Sequence, residues 1–349
     1  MKKVNTRAGF TMTELLVGTA IGIFTLSVAV QLASDQSQML GRTSRSVDTM
    51  QSARRAIELL AEDLRHAGMG IGYRPSGEFG GLIRGNFTVP GGAQFVSDGF
   101  TQTLATGNMA TDDLGIRVAQ GDLRTIASFF GSLGQICGGS DIEVGDTVVL
   151  LSREALHAQT ARIMSLTGAP CTKGQCLNGC QSFTYVSDPS YVSDNEATTA
   201  NYVGGSMVGD FAEIVWFVVP GSDGSGELRR ALVTQQDPCS ARDSTCGGLV
   251  AEDIETLQVA IWQWDDTLNQ WVNQTPTSAL ADRRRVRVDL EVVVRGTADD
   301  QAGARLPIAL TLDQNRCMGG PCGGAADKYQ RVVVRTSIEV RNGGRMLIR

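Results

Sequence analysis

Residues 1–34 read MKKVNTRAGFTMTELLVGTAIGIFTLSVAVQLAS, and the pattern of charge in this stretch decides the class of the chain. Lys2, Lys3 and Arg7 precede the apolar run, with no acid among Met1–Gly9. Glu14 is the only charge between Phe10 and Ser34. From Leu15 to Ser34 twenty residues pass without a charge, about enough helix to span a bilayer. Basic residues ahead of such a run stay cytoplasmic, which sends the body that follows across the membrane. A secretory signal peptide is the competing reading. It fits poorly, because a glutamate opens the apolar run and no A-x-A-like site closes it. Gln31–Ser46 is polar and helix-compatible, more a continuing helix than a cleavage region.

A carboxylate at a membrane entrance is costly unless it is paired. The arrangement Gly9-Phe10-Thr11-x-x-Glu14 before an apolar helix resembles the type IV pilin and pseudopilin family. In that family a prepilin peptidase cuts after the glycine and methylates the new N-terminus. The resemblance therefore implies a leader of residues 1–9, cleavage between Gly9 and Phe10, and an N-methylated Phe10. Glu14 becomes the fifth residue of the mature chain, with an assembly role. The new α-amino group can neutralise its carboxylate, within the subunit or on a neighbour, so that each has a partner in an apolar filament core. The bland alternative is an ordinary single-pass anchor with a chance glutamate.

Downstream, no proline interrupts the polar residues 35–52, so the helix is expected to continue to about His66. Ala53, Ala56, Ile57, Leu60, Ala61 and Leu64 mark one face at helical spacing. Arg54, Arg55, Glu58, Glu62 and Arg65 fill the rest as a solvated face, with i,i+3 pairs available. Glycines 68, 70 and 72 end it. The expected segments are 1–9, the leader; 10–34, the transmembrane and filament-core helix; 35–68, the remaining helix; and 69–349, a β-rich globular domain. Tyr73–Gly139 reads as Gly-rich and irregular, with short strands such as Asp113–Ala119. Val144–Leu151 is a buried-type run, and Glu213–Val219 pairs naturally with Glu227–Val233 across Pro220–Gly226. Leu257–Trp264 and Gln270–Asn273 form a second hairpin, while Val286–Val294 and Val332–Val340 alternate at period two. Tyr185–Gly205 is the most loop-like insertion. The expected fold is α+β: a long N-terminal helix, membrane-spanning in its first half, on a largely antiparallel sheet with one packed and one charged face. It is a pilin fold with extra disulfide-containing loops.

The bulk numbers exclude several classes. Hydrophobic residues are 42 % and charged residues 19 % of 349, against disorder or many membrane spans. The net charge of −6 gives no basic excess for nucleic acid. Cys137, Cys171, Cys176, Cys180, Cys239, Cys246, Cys317 and Cys322 make an even eight in Gly-rich surroundings, which points to disulfides and an oxidising compartment. Proximity suggests Cys239–Cys246 and Cys317–Cys322; the other pairings stay open. Zinc on Cys171, Cys176 and Cys180 needs a fourth ligand, and neither His66 nor His157 sits beside them. No G-x-S-x-G, HExxH or P-loop motif is present, so no enzyme, cofactor or metal site is expected. Asp223–Glu227 lacks calcium-loop spacing and reads as a hairpin turn. Trp262, Trp264 and Trp271 bracket one hairpin, as core packing, a subunit contact or an aromatic ligand platform. Residues 283–349 hold 13 basic and 7 acidic residues, net +6; without the leader's three basic residues the chain is −9, so 10–282 carry −15. That basic end is either a solvated sheet face or a docking surface for an acidic neighbour.

Several segments resemble the PilW group of minor pilins: Ala56–Gly70, Ile214–Leu232, Glu252–Val259 and Arg331–Asn342. The J-type pseudopilins of type II secretion share the helix end and final strand. The Cys-containing inserts Cys171–Cys180 and Cys239–Cys246 depart from the family pattern. What the resemblance implies is a subunit in a priming or tip complex for pilus assembly. Its partners would be other minor pilins, the major pilin, a tip adhesin and the prepilin peptidase. It would sit as a single-pass protein in the inner membrane, body periplasmic, and then reach the pilus or cell surface. The alternatives are a type II secretion pseudopilin and a membrane-anchored periplasmic binding protein or enzyme.

Overall fold

A computed structural model describes residues 11–68, 83–84, 87–88, 94–95, 100–104, 107–137, 142–153, 158–169, 176, 179–187, 204–221, 226–233, 239, 243–265, 267–274, 286–298 and 329–340. Helix α1 runs Met12–His66. The chain divides into two compact units, Met1–Asp48 and Thr49–Arg349.

The first unit holds an exposed apolar helix. Met12–Gly41 is long and apolar enough to cross a membrane, and Leu15, Leu16, Phe24 and Leu26 are all exposed. Its hydroxyls bond back to the helix: Thr19 to Leu16 O at 3.0 Å, Thr25 to Ile21 O at 2.9 Å, Ser27 to Phe24 O at 2.8 Å. Each of these three hydroxyls thus satisfies its donor within the helix, as hydrocarbon surroundings require.

In the second unit the end of α1 is amphipathic. Ala53, Ala56, Ile57, Leu60, Ala61 and Leu64 are buried together with Ala67. Gly68 ends the helix at φ 74°, and its N–H donates to Arg117 O at 2.8 Å. Glycine reaches that left-handed conformation without steric cost.

Strands follow in the order β1 (Ile83–Arg84), β2 (Phe87–Thr88), β3 (Gln94–Phe95), β4 (Phe100–Leu104), β5 (Gly107–Thr111), β6 (Leu114–Phe130), β7 (Leu133–Cys137), β8 (Thr147–Leu151) and β9 (Ala158–Ala169). Then come β10 (Cys180–Ser187), β11 (Met207–Pro220), β12 (Gly226–Val233), β13 (Gly248–Ala251), β14 (Ile254–Asp265), β15 (Gln270–Gln274), β16 (Val286–Ala298) and β17 (Tyr329–Val340). β2–β3 and β4–β5 are small separate ribbons.

Two larger assemblies remain, both antiparallel. One sheet has the order β15-β14-β16-β17. The other has the order β1-β6-β7-β10-β9-β8-β11-β12-β13, and β6 also pairs with β11. That last pairing closes a ring of six strands, β6-β7-β10-β9-β8-β11, since β11 returns to β6. The ring has its own core, to which every strand contributes: Ile126, Ile136, Val148, Ile163, Phe183 and Val208. Side chains fill it, as a barrel of few strands demands.

The main core joins the helix to both assemblies, through Leu114, Ile214 and Trp216 on one side and Leu257, Val288 and Val340 on the other. The two assemblies meet where Thr111 and Asp112 run beside β14. Asp112 N donates to Leu257 O at 2.8 Å, and Val259 N donates to Asp112 Oδ2 at 2.9 Å. A buried Arg117–Glu213 pair, 3.6 Å apart, lies across β6 and β11.

The α+β architecture, the long helix and the β11–β12 and β14–β15 hairpins are those expected from sequence. Three details differ. Residues 114–137, expected to be mostly irregular, form the 17-residue β6 and the hairpin partner β7. β11 is buried on both faces rather than one, because the second core of Val215, Phe217, Cys239 and Cys246 covers its far side. One sheet was expected; the structure has a ring and a separate four-stranded sheet.

Candidate functional site

The helix start is the strongest site in the sequence, and its geometry is that of a capping box. Thr11 precedes the first helical residue. Its N–H and its hydroxyl both donate to Glu14 Oε2, at 3.0 and 2.9 Å, and the Glu14 N–H donates to Thr11 Oγ1 at 3.3 Å. Glu14 is therefore not an idle charge at the head of an apolar helix. It caps orphan donors of the first turn, and an acid there also suits the helix dipole. Gly9 and Phe10 lie outside the described residues, so the junction expected between them has no geometry here.

At the other end of α1 a second polar site fixes the helix to the sheet. Asp63 is buried. Trp216 Nε1 donates to its Oδ2 at 2.9 Å, and Arg230 donates from Nε at 2.7 Å and from Nη2 to Oδ1 at 3.0 Å. The bidentate fork is the strong form of such a pair, and the Asp63 hydrogen bond holds the Arg230 guanidinium above its ordinary pKa.

The cysteines form cross-links. Cys239 is bonded to Cys246, with Cα atoms 5.3 Å apart. Cys137 is bonded to Cys176 at a Cα separation of 5.2 Å, and Cys180 is disulfide-bonded too. Thiolate ligation of zinc by Cys176 and Cys180 is thus ruled out in this state. Cys171, Cys317 and Cys322 lie outside the described residues, as do His157 and Asp223–Ser225. His66 is exposed at the helix end. Among the described residues no group of three His, Cys, Asp or Glu could hold a metal. A cavity of about 570 Å³ lies beside the Cys239–Cys246 loop, lined by Arg230, Thr245 and Val250. The guanidinium of Arg230 is already committed to Asp63.

The basic C-terminal strand is largely neutralised inside its own sheet. Arg331 donates to Glu255 at 2.6 and 3.0 Å, and Arg335 to Glu291 at 2.9 Å. Arg287 pairs with Asp289 at 3.2 Å. For the described arginines of this sheet these contacts favour the structural reading; the other basic residues of 283–349 lie outside the described residues.

No protein-family model matches the chain. No curated protein matches it either. Among solved structures the chain is similar to the type IV-like pilin TTHA1219 from Thermus thermophilus, at 13 % identity and a TM-score of 0.25, over 58 % of this chain and 86 % of that one. At that TM-score the likeness carries no weight below.

Two functional features escaped the sequence reading in different ways. The Thr-x-x-Glu signature of the capping box is local and was legible beside the pilin motif. The partners of Asp63 are 153 and 167 residues away, and no local pattern points to them.

Proposed function

We propose that this chain is a pilin-like structural subunit, anchored by its N-terminal helix and assembled into a type IV pilus or a related secretion filament. Within that class the segments resembling the PilW group favour a minor pilin of a priming or tip complex. Its partners are other minor pilins, the major pilin and a tip adhesin. The prepilin peptidase cuts between Gly9 and Phe10 in the inner membrane, with the body on the periplasmic side. Export to the pilus or cell surface follows. The observation that carries the reading is a continuous helix with two environments. Its apolar exposed start is headed by Glu14, and its last turns are buried on antiparallel sheets. A filament subunit would bury such an exposed apolar helix against its neighbours.

Glu14→Gln tests the assembly role cleanly. Glutamine serves at this position of a capping box as well as glutamate does, so the helix start survives and only the charge is lost. The variant is expected to insert in the membrane and to be cut normally. Its co-purification with other pilins and its presence in sheared filaments are expected to fall about tenfold or more, the loss of one charge-assisted contact in an apolar core. Wild-type recovery of the variant in filaments would sink the assembly role of Glu14.

A further inference from the structure

Three cysteines meet where β7 ends and β10 begins. Cys137 is the last residue of β7 and Cys180 the first of β10, and the register sets the two directly opposite each other. Cys137 is nonetheless bonded to Cys176, four residues ahead of Cys180. Cys180 carries a disulfide of its own. Its partner lies outside the described residues, because Cys137, Cys176, Cys239 and Cys246 are bonded among themselves. Two disulfides therefore lie side by side. The Sγ atoms of Cys180 and Cys176 are 3.4 Å apart, in contact without a bond between them.

Stapling of the fold accounts for each disulfide taken singly. It does not account for their contact or for their accessibility. Cys239–Cys246 is buried in its own apolar core. Cys137, Cys176 and Cys180 are only half-buried, and Gly179 beside them is exposed, with open space where a Cβ would stand. A thiol reagent thus has a way in. Disulfides exchange when a thiolate attacks a disulfide sulfur, at a rate that depends on access. A thiolate already touching its target acts as if at very high local concentration.

We propose that Cys137, Cys176 and Cys180 form a thiol–disulfide exchange site, open to a dithiol, whose product is a Cys176–Cys180 bond. Two routes lead there. In the first, a dithiol reduces the Cys180 bond, delivering two electrons and two protons and leaving as a disulfide. The Cys180 thiolate then attacks Cys176 Sγ. A new bond forms, and Cys137 departs as a thiolate that takes up the proton. In the second, the dithiol reduces Cys137–Cys176, and the Cys176 thiolate attacks Cys180 Sγ and expels the former partner of Cys180. Both routes end with one disulfide, Cys176–Cys180, and with thiols on Cys137 and on that former partner. The exchange loosens the ring. The Cys137–Cys176 link closes a separation of 39 residues, and the new one closes only four. A shorter loop constrains the unfolded chain less, and the end of β7 then keeps only its pairing with β6 and β10. The site is independent of the filament reading.

Full-length protein in detergent micelles would be given one equivalent of dithiothreitol, trapped with N-ethylmaleimide and mapped by non-reducing peptide mass spectrometry. Among molecules that have lost one disulfide of the cluster, those with Cys176–Cys180 linked and Cys137 alkylated are expected to lead about tenfold or more. Hydrogen exchange in that form should rise first in β7. Cys137→Ala isolates the second step. Its Cys176 thiol is expected to capture Cys180 with no reductant added, so that Cys176 is not alkylated. Alkylated Cys180 with Cys137–Cys176 intact would overturn the proposal, as would alkylated Cys137 and Cys176 with the Cys180 bond intact. Either result leaves two separate staples. A Cys137→Ala protein whose Cys176 stays open to alkylation would overturn it too.

Discussion

Asp63 shows what a single residue does in this fold. It lies on the helix face that meets the sheet, and it accepts from both Trp216 and Arg230. Replacing it with alanine leaves an indole N–H and a guanidinium facing an apolar core without an acceptor. Breaking a fully buried pair costs about 3–5 kcal/mol. Arg230 keeps 30 % of its side-chain surface in water, so Asp63→Ala is expected to cost about 2–4 kcal/mol. Asp63→Asn, which can still accept from Trp216, should cost less. Denaturant unfolding of the purified protein measures both; equal and negligible losses would show that the site does not hold the helix. At this scale the sequence spoke unevenly. Glu14 stood out because a charge in an apolar run is costly. Asp63 did not, because it was one acid among several on a helix whose Glu58 and Glu62 are solvated.

Among the elements, legibility followed the strength of the local pattern. Helix α1 was readable along its length: uninterrupted apolar sequence, then helical spacing, then a glycine stop. The β11–β12 hairpin and the β14–β15 hairpin have the registers expected of them, since valine-rich runs flank clear turns. β16 and β17 were legible as strands from their two-residue period, though their pairing with each other was not. β9 and β10 were not readable. β9 is AQTARIMSLTGA, half small or hydroxylated residues, and its only deep anchors in the ring are Ala161 and Ile163. β6 hid for another reason, because Gly121 and Asp122 interrupt its alternation where the register with β11 shifts. Strands of a closed ring are specified by neighbours far away in sequence, and no short window contains that information. Gly134 gives a test of the ring. A Cβ there would overlap the ring of Phe183, which is buried against Phe129 and Tyr185. Gly134→Ala is expected to destabilise the ring by about 1–3 kcal/mol through overpacking. Hydrogen exchange should show protection lost first in β7 and β10; unchanged protection there would mean that the ring core is not packed as described.

Across the whole molecule the parts divide the labour. The unit Met1–Asp48 offers an apolar helix with self-satisfied hydroxyls and a capped carboxylate. The unit Thr49–Arg349 is a body of antiparallel strands with three hydrophobic cores, stapled by disulfides. The Cys239–Cys246 disulfide packs with Val215, Phe217 and Val219 on the far face of β11. Within the four-stranded sheet the described Arg331 and Arg335 pair across strands with Glu255 and Glu291. In the proposed role the body serves placement and contact, and the helix serves first in a membrane and then against neighbours. The proposed role entails removal of a leader at the Gly9–Phe10 bond. Mass spectrometry of the mature protein's N-terminus, purified from membranes and filaments, reads that bond directly. The expected terminus is Phe10 carrying an N-methyl group, with Met1–Gly9 absent. A mature chain that still begins at Met1, or one cut beyond Ser34, would contradict it.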